Sequence, residues 1–162
     1  MSSVLNPNRI RPMQAKMEAA VALTRRAMQR TTQFGRYLVL LRQFQGINKV
    51  ISGLSPDERR KIALVALSEM TQANAAVANG SASPDTDWTE EATAASERAK
   101  SPHVQVQSGA VRRWLVAAYR VTKLSQYGEV QSLHRAVLRS LRLMQGASAG
   151  GKTSDIHWVE SQ

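Results

Sequence analysis

The chain has 162 residues, 43% of them hydrophobic but only 5% aromatic, and carries a net charge of +10; it is long enough for one domain with a real core and too short for two large ones. It contains no cysteine, which excludes a disulfide framework, thiolate chemistry and a zinc finger. No apolar run approaches the roughly 20 residues that cross a bilayer, and no signal-peptide core follows Met1, so a soluble cytoplasmic protein with no membrane partner is expected.

Ala, Leu, Arg, Gln and Met fill the long segments, and all favour helix. Pro12 is expected as a first helical residue, followed by Met13, Met17, Val21, Thr24 and Met28 on one stripe, with Arg26 and Arg30 on the far side. Gly35 is expected to break this helix. From Arg36 a second helix sets Tyr37, Leu40, Leu41, Phe44, Ile47 and Ile51 on one face and Arg42 and Lys49 on the other, ending at Gly53. Ser55-Pro56-Asp57-Glu58 reads as a capping box: Ser55 caps, Pro56 takes the first turn and Glu58 returns a bond to the Ser55 amide. That helix should bury Ile62, Val65, Ala66 and Met70 and fade before Asn79-Gly80.

Gly80 to Asp85 has loop composition, and Asp87 with Glu90 offers a second capping box for a short acidic helix ending before Ser101-Pro102. The alternation from His103 to Gln107 is expected as an extended connector. In 109–127, Val111, Trp114, Leu115, Ala118 and Thr122 define a core stripe, while Arg113 and Arg120 point away. Gly128 is expected to separate this helix from one at 129–145, whose stripe is Val130, Leu133, Val137, Leu141 and Met144. Arg135, Arg139 and Arg142 lie roughly opposite that stripe. The fold class expected is all-α: a bundle of about five helices in a single domain over 1–162. A flexible insert at 79–105 holds the acidic helix, and a flexible, disordered tail occupies 146–162. Arg36-Tyr37-Leu38-Val39 and Arg113-Trp114-Leu115-Val116 echo one another, which duplication and chance explain equally well.

Residues 146–153, Gly-Ala-Ser-Ala-Gly-Gly-Lys-Thr, match the phosphate-loop pattern G-x-x-x-x-G-K-[ST]. That chemistry needs a strand leading in and a helix leading out. Here a helix leads in and no strand is available for a magnesium-binding aspartate, so the stretch reads as a linker. His103, His134 and His157 are isolated from other metal ligands at helical spacing. No nucleophile–base constellation is legible, and the expectation is no enzyme, no cofactor and no metal. Tyr37 and Trp114 read as core anchors rather than stacking platforms. Trp158 sits in a tail with no core of its own, where docking on a neighbour or on its own domain and plain disorder are equally open.

The bases are concentrated. Residues 1–49 hold nine Lys/Arg against one acid and residues 101–152 eight against one, while 50–100 hold five against eight acids. Ordinary solvated helix faces mix signs to gain i,i+4 pairs; these ridges do not. The expected partner is the backbone of RNA or single-stranded DNA, gripped by the arginine forks without base readout. The candidate contacts are Arg26, Arg30, Arg42, Lys49, Arg112, Arg113, Arg120, Lys123, Arg135, Arg139 and Arg142. Val116, Leu124, Leu138 and Leu143 lie off the core stripes and are expected to meet other protein subunits, copies of this chain included.

The arginine-bearing segments Val111-Arg112-Arg113-Trp114-Leu115 and Leu133 to Leu141 resemble those of the small all-helical subunits of CRISPR effector ribonucleoproteins. The resemblance spans about 35 C-terminal residues and is architectural. It implies a non-catalytic subunit of an antiviral-defence particle that contacts guide and target backbones without sequence choice. A helical portal, neck or interior protein of a phage particle is the alternative; a helix-turn-helix regulator fits less well, because no short recognition helix follows a tight turn.

Overall fold

A computed structural model describes residues 7–81 and 87–146, with side chains from Arg11 onward except Gln29. Among the described residues there are five α-helices and no strand, the all-α architecture expected: α1 Pro7–Gly53, α2 Pro56–Ala78, α3 Thr89–Arg98, α4 Val104–Lys123 and α5 Gly128–Gln145. The chain divides into two compact units, Met1–Gly35 and Arg36–Gln162. The phosphate-loop look-alike beyond Gly146, together with His157 and Trp158, lies outside the described residues, as do positions 82–86 of the insert.

In the first unit the expected stripe is helical but not buried: Met13, Met17, Val21 and Met28 are 64%, 67%, 49% and 64% exposed. A period of 3.6 marks a helix; it does not supply a partner for the face it defines. The expected break at Gly35 is absent, since α1 runs through it. One glycine costs a helix interior about 1 kcal/mol relative to alanine, too little to interrupt a segment of otherwise good helix formers. Pro12 likewise lies inside α1 rather than at its start.

In the second unit α4 is the central helix, packed on α2, α3 and α5. Its expected stripe of Val111, Trp114, Leu115, Ala118 and Thr122 is buried, and so are Val116, Ala117 and Tyr119, because neighbours on several sides bury more than one face. Val116 and Leu138 therefore belong to the core, against the expectation that they face other subunits; Leu124 and Leu143 are exposed, at 67% and 74%. From α1, Leu40, Phe44, Ile47 and Ile51 join this core, Tyr37 is half-buried and Leu41 is exposed. The Trp114 indole stacks on Phe44 at 5.4 Å between centroids. Its Nε1 donates to Gln43 Oε1 (2.9 Å), while Gln43 Nε2 donates to Thr93 Oγ1 (2.9 Å), so one glutamine ties α1 to both α4 and α3.

The corners follow local chemistry. Ser55 caps α2, its Oγ accepting from the Glu58 amide at 3.2 Å. The Glu58 carboxylate accepts from Ser108 Oγ (3.1 Å) and sits 3.8 Å from Lys61. Arg59 satisfies the end of α1, donating to the Ile51 and Ser52 carbonyls at 2.9 and 2.8 Å. Ile62, Ala66 and Met70 are buried on α2, whereas Val65 is 45% exposed. Gly80, at φ +71°, supplies the left-handed conformation that ends α2. Asp87 Oδ1 accepts from the Thr89 amide (2.9 Å) at the start of α3; this bond, with Arg36 at 3.6 Å, outweighs partial burial and holds its carboxyl below the ordinary value. The expected extended connector at 103–107 is instead the first turn of α4, closed by Gln107 N–H donating to His103 O (2.9 Å). Five alternating residues define no strand without a partner to pair with, and Val104 and Val106 remain exposed.

Candidate nucleic-acid interface

The last two helices place basic side chains around one concavity. The stripe Val130, Leu133, Val137, Leu141 and Met144 anchors α5 in the core, so Arg135, Arg139 and Arg142, at spacings of four and three, share the outward side. Between that side and the end of α4 lies a groove of about 550 Å³ lined by Thr122, Lys123, Gln131, His134, Arg135, Leu138, Arg139 and Arg142. No carboxylate is among these lining residues, and neither Arg135 nor Arg139 meets one among the described residues. From Arg135 to Arg142 the helix rises about 10 Å, the axial length of about three phosphates on one strand of a duplex at roughly 3.4 Å each.

Polar groups behind the groove fix its edge. Asn74, buried on α2, donates from Nδ2 to Tyr119 Oη (2.8 Å), and its Oδ1 accepts from Lys123 Nζ. Burial lowers the Lys123 pKa and raises that of Tyr119, so the tyrosine stays a neutral phenol at neutral pH. The α4–α5 turn is held by Tyr127 N–H donating to Ser125 Oγ (3.2 Å) and by Gln131 Nε2 donating to Ser125 O (3.1 Å), which seats the first turn of α5 against the groove.

The other candidate residues are not brought together with these four cations. Arg112 pairs with Glu69, and Arg120 lies 3.7 Å over the Trp88 ring with its pKa lowered by burial. With Arg113 they line a second depression, of about 460 Å³, that also contains Glu69 and Glu91. Its mixed charge separates it from the α4–α5 groove, whose described lining holds no carboxylate. Arg113 and Arg120 share α4 with Lys123, but the turn of the helix and the acids Glu69 of α2 and Glu91 of α3 divide them. Arg42 and Lys49 are exposed on α1 away from the groove lining, and Arg26 and Arg30 are exposed in the first unit.

Thr122, Gln131, His134 and Leu138 also line the groove without being among the candidate contacts, and His134 is the titratable one. His134 reads in the sequence as an isolated histidine, yet it lines the groove beside Arg135 and stacks on Tyr119 at 5.2 Å. Its place one residue before the first of three regularly spaced arginines was the available signal.

No protein-family model, curated protein or solved structure matches this chain. Among the described residues no helix is long and apolar enough to cross a membrane.

Proposed function

We propose that this chain is a non-catalytic subunit that binds nucleic-acid backbones without sequence preference inside a larger nucleoprotein assembly. The observation that carries the reading is the α4–α5 groove: four cationic side chains, Lys123, Arg135, Arg139 and Arg142, around one concavity with no carboxylate among the described residues that line it. A surface that only keeps a helix hydrated gains from mixed charge, whereas clustered guanidinium forks gain when phosphate oxygens neutralise their mutual repulsion. On this reading the arginine forks and the lysine meet phosphate oxygens, contacts that carry no sequence information, so affinity comes from the backbone.

Leu124 and Leu143, next in sequence to Lys123 and Arg142, are exposed and suit contacts with neighbouring subunits in such a particle. The resemblance of residues 111–115 and 133–141 to CRISPR effector small subunits makes that particle the first to test. The direct experiment is fluorescence anisotropy with unrelated RNA and single-stranded DNA oligonucleotides of equal length. Similar affinities for all sequences, lost together in an Arg135→Gln/Arg139→Gln/Arg142→Gln variant, support the proposal. Strong preference for one sequence, or binding indifferent to the triple substitution, contradicts it. Native purification with sequencing of the retained nucleic acid and mass spectrometry of companion proteins identifies the assembly.

A further inference from the structure

We propose that His134 is a phosphate-contacting residue of the α4–α5 groove, its imidazole taking up one proton from solvent as an anionic backbone binds. The inference rests on the reading of this groove as a backbone site and adds a fifth, conditional cation to it.

The geometry begins with Thr122. Its Oγ1 lies 2.8 Å from the Ala118 carbonyl and 2.8 Å from His134 Nδ1. A hydroxyl has one proton, and the helical carbonyl, which can only accept, takes it. The contact to His134 is then satisfied by a proton on Nδ1 donated to the threonine oxygen. That fixes the neutral imidazole as the Nδ1–H tautomer and leaves Nε2 with a lone pair. An anionic ligand cannot bond to a lone pair; it can bond to Nε2 once that nitrogen is protonated.

The surroundings set when this happens. From α4, Lys123 and the neutral phenol of Tyr119 face the imidazole; from α5, Arg135 does; the α2 side chain that reaches this network is the uncharged Asn74. Burial first, then the positive charges of Lys123 and Arg135, disfavour a cationic ring in the free protein. A phosphate in the groove reverses the electrostatic part of that balance by screening both cations and accepting from Nε2–H. Binding and protonation are therefore linked: one proton is gained, no covalent bond forms, and nothing is oxidised or reduced.

The test uses the full chain and an oligouridine strand. In wild type, affinity should rise as pH falls from 8 to 6, by up to about tenfold per pH unit within the interval between the free and bound pKa values. Calorimetry in buffers of different ionisation enthalpy should show uptake approaching one proton. His134→Gln should keep most of the salt dependence and lose the uptake, which also subtracts contributions from His103 and His157. An NMR titration of the wild-type His134 ring, with and without oligouridine, gives the same answer without a substitution; a pKa raised by the ligand supports the proposal. Salt-dependent binding with no proton uptake, an unmoved His134 pKa, or equal uptake in His134→Gln overturns it while leaving the groove as a phosphate site. Absence of salt-dependent binding overturns both.

Discussion

Replacing Trp114 tests the packing that positions α4, and hence one wall of the groove. The side chain is fully buried, stacks on Phe44 and donates to Gln43. Truncation to alanine removes the largest buried side chain of the second unit and leaves a cavity bounded by α1 and α4, a loss of about 3–5 kcal/mol. Trp114→Phe keeps an aromatic ring against Phe44 but removes the indole N–H. Forfeiting that bond costs about 1 kcal/mol, and the smaller ring adds a fraction more, so about 1–2 kcal/mol is expected. In urea unfolding followed by circular dichroism at 222 nm, a slope near 2 kcal/mol/M places the midpoint about 2 M lower for the alanine variant and about 0.5–1 M lower for phenylalanine. A loss below about 1 kcal/mol for Trp114→Ala, or equal losses for both variants, would refute the placement of this indole between α1 and α4.

Three further outcomes follow from single residues. Gly35→Ala should raise stability by about 0.5–1 kcal/mol, because Gly35 lies within α1 and an added Cβ meets nothing within 4 Å; a loss in thermal unfolding would contradict a continuous helix through this position. Asn74→Leu should cost about 1–3 kcal/mol, since it strands the buried Tyr119 hydroxyl and releases Lys123; a neutral result in chemical unfolding would dissolve that network. The folded-state pKa of His134 lies below its ordinary 6.5, so its stabilising contribution is complete above that value and is lost as pH falls through the folded pKa. Unfolding midpoints measured without polyanion between about pH 7 and 5 should therefore fall less in His134→Gln than in wild type, and parallel curves would contradict the assignment.

The sequence was most legible where one helix face meets one neighbour. The stripe of α5 came through residue by residue, because Val130, Leu133, Val137, Leu141 and Met144 all turn inward. Ser55 was equally clear, since a cap is a local arrangement that needs no tertiary partner. Two physical facts limited the rest. Periodicity reports the shape of a face, not its cover, so Met13 and Met17 read like Leu40 and Phe44 although only the latter pair is buried. The width of the buried face on α4 depends on how many helices surround it, and Val116 and Tyr119 could be assigned to the core only from that arrangement. The arginines of α5 were legible as a set. The separation of Arg112 and Arg120 was not, because Glu69 and Trp88 approach them from residues distant in sequence.

Phosphate binding by the α4–α5 groove is read out in the salt dependence of affinity. The groove gathers Lys123, Arg135, Arg139 and Arg142, fewer contacts than the full basic content of α4 and α5 suggests. Four phosphate contacts give a slope of log affinity on log salt of about −3 for single strands. Arg135→Gln/Arg139→Gln/Arg142→Gln should bring it to about −1 while circular dichroism shows the helices intact, because these side chains lie opposite the α5 core. A flat dependence in wild type, with no retardation of RNA or DNA near 50 mM salt, would contradict backbone binding by this groove and leave these arginines as a protein-docking surface.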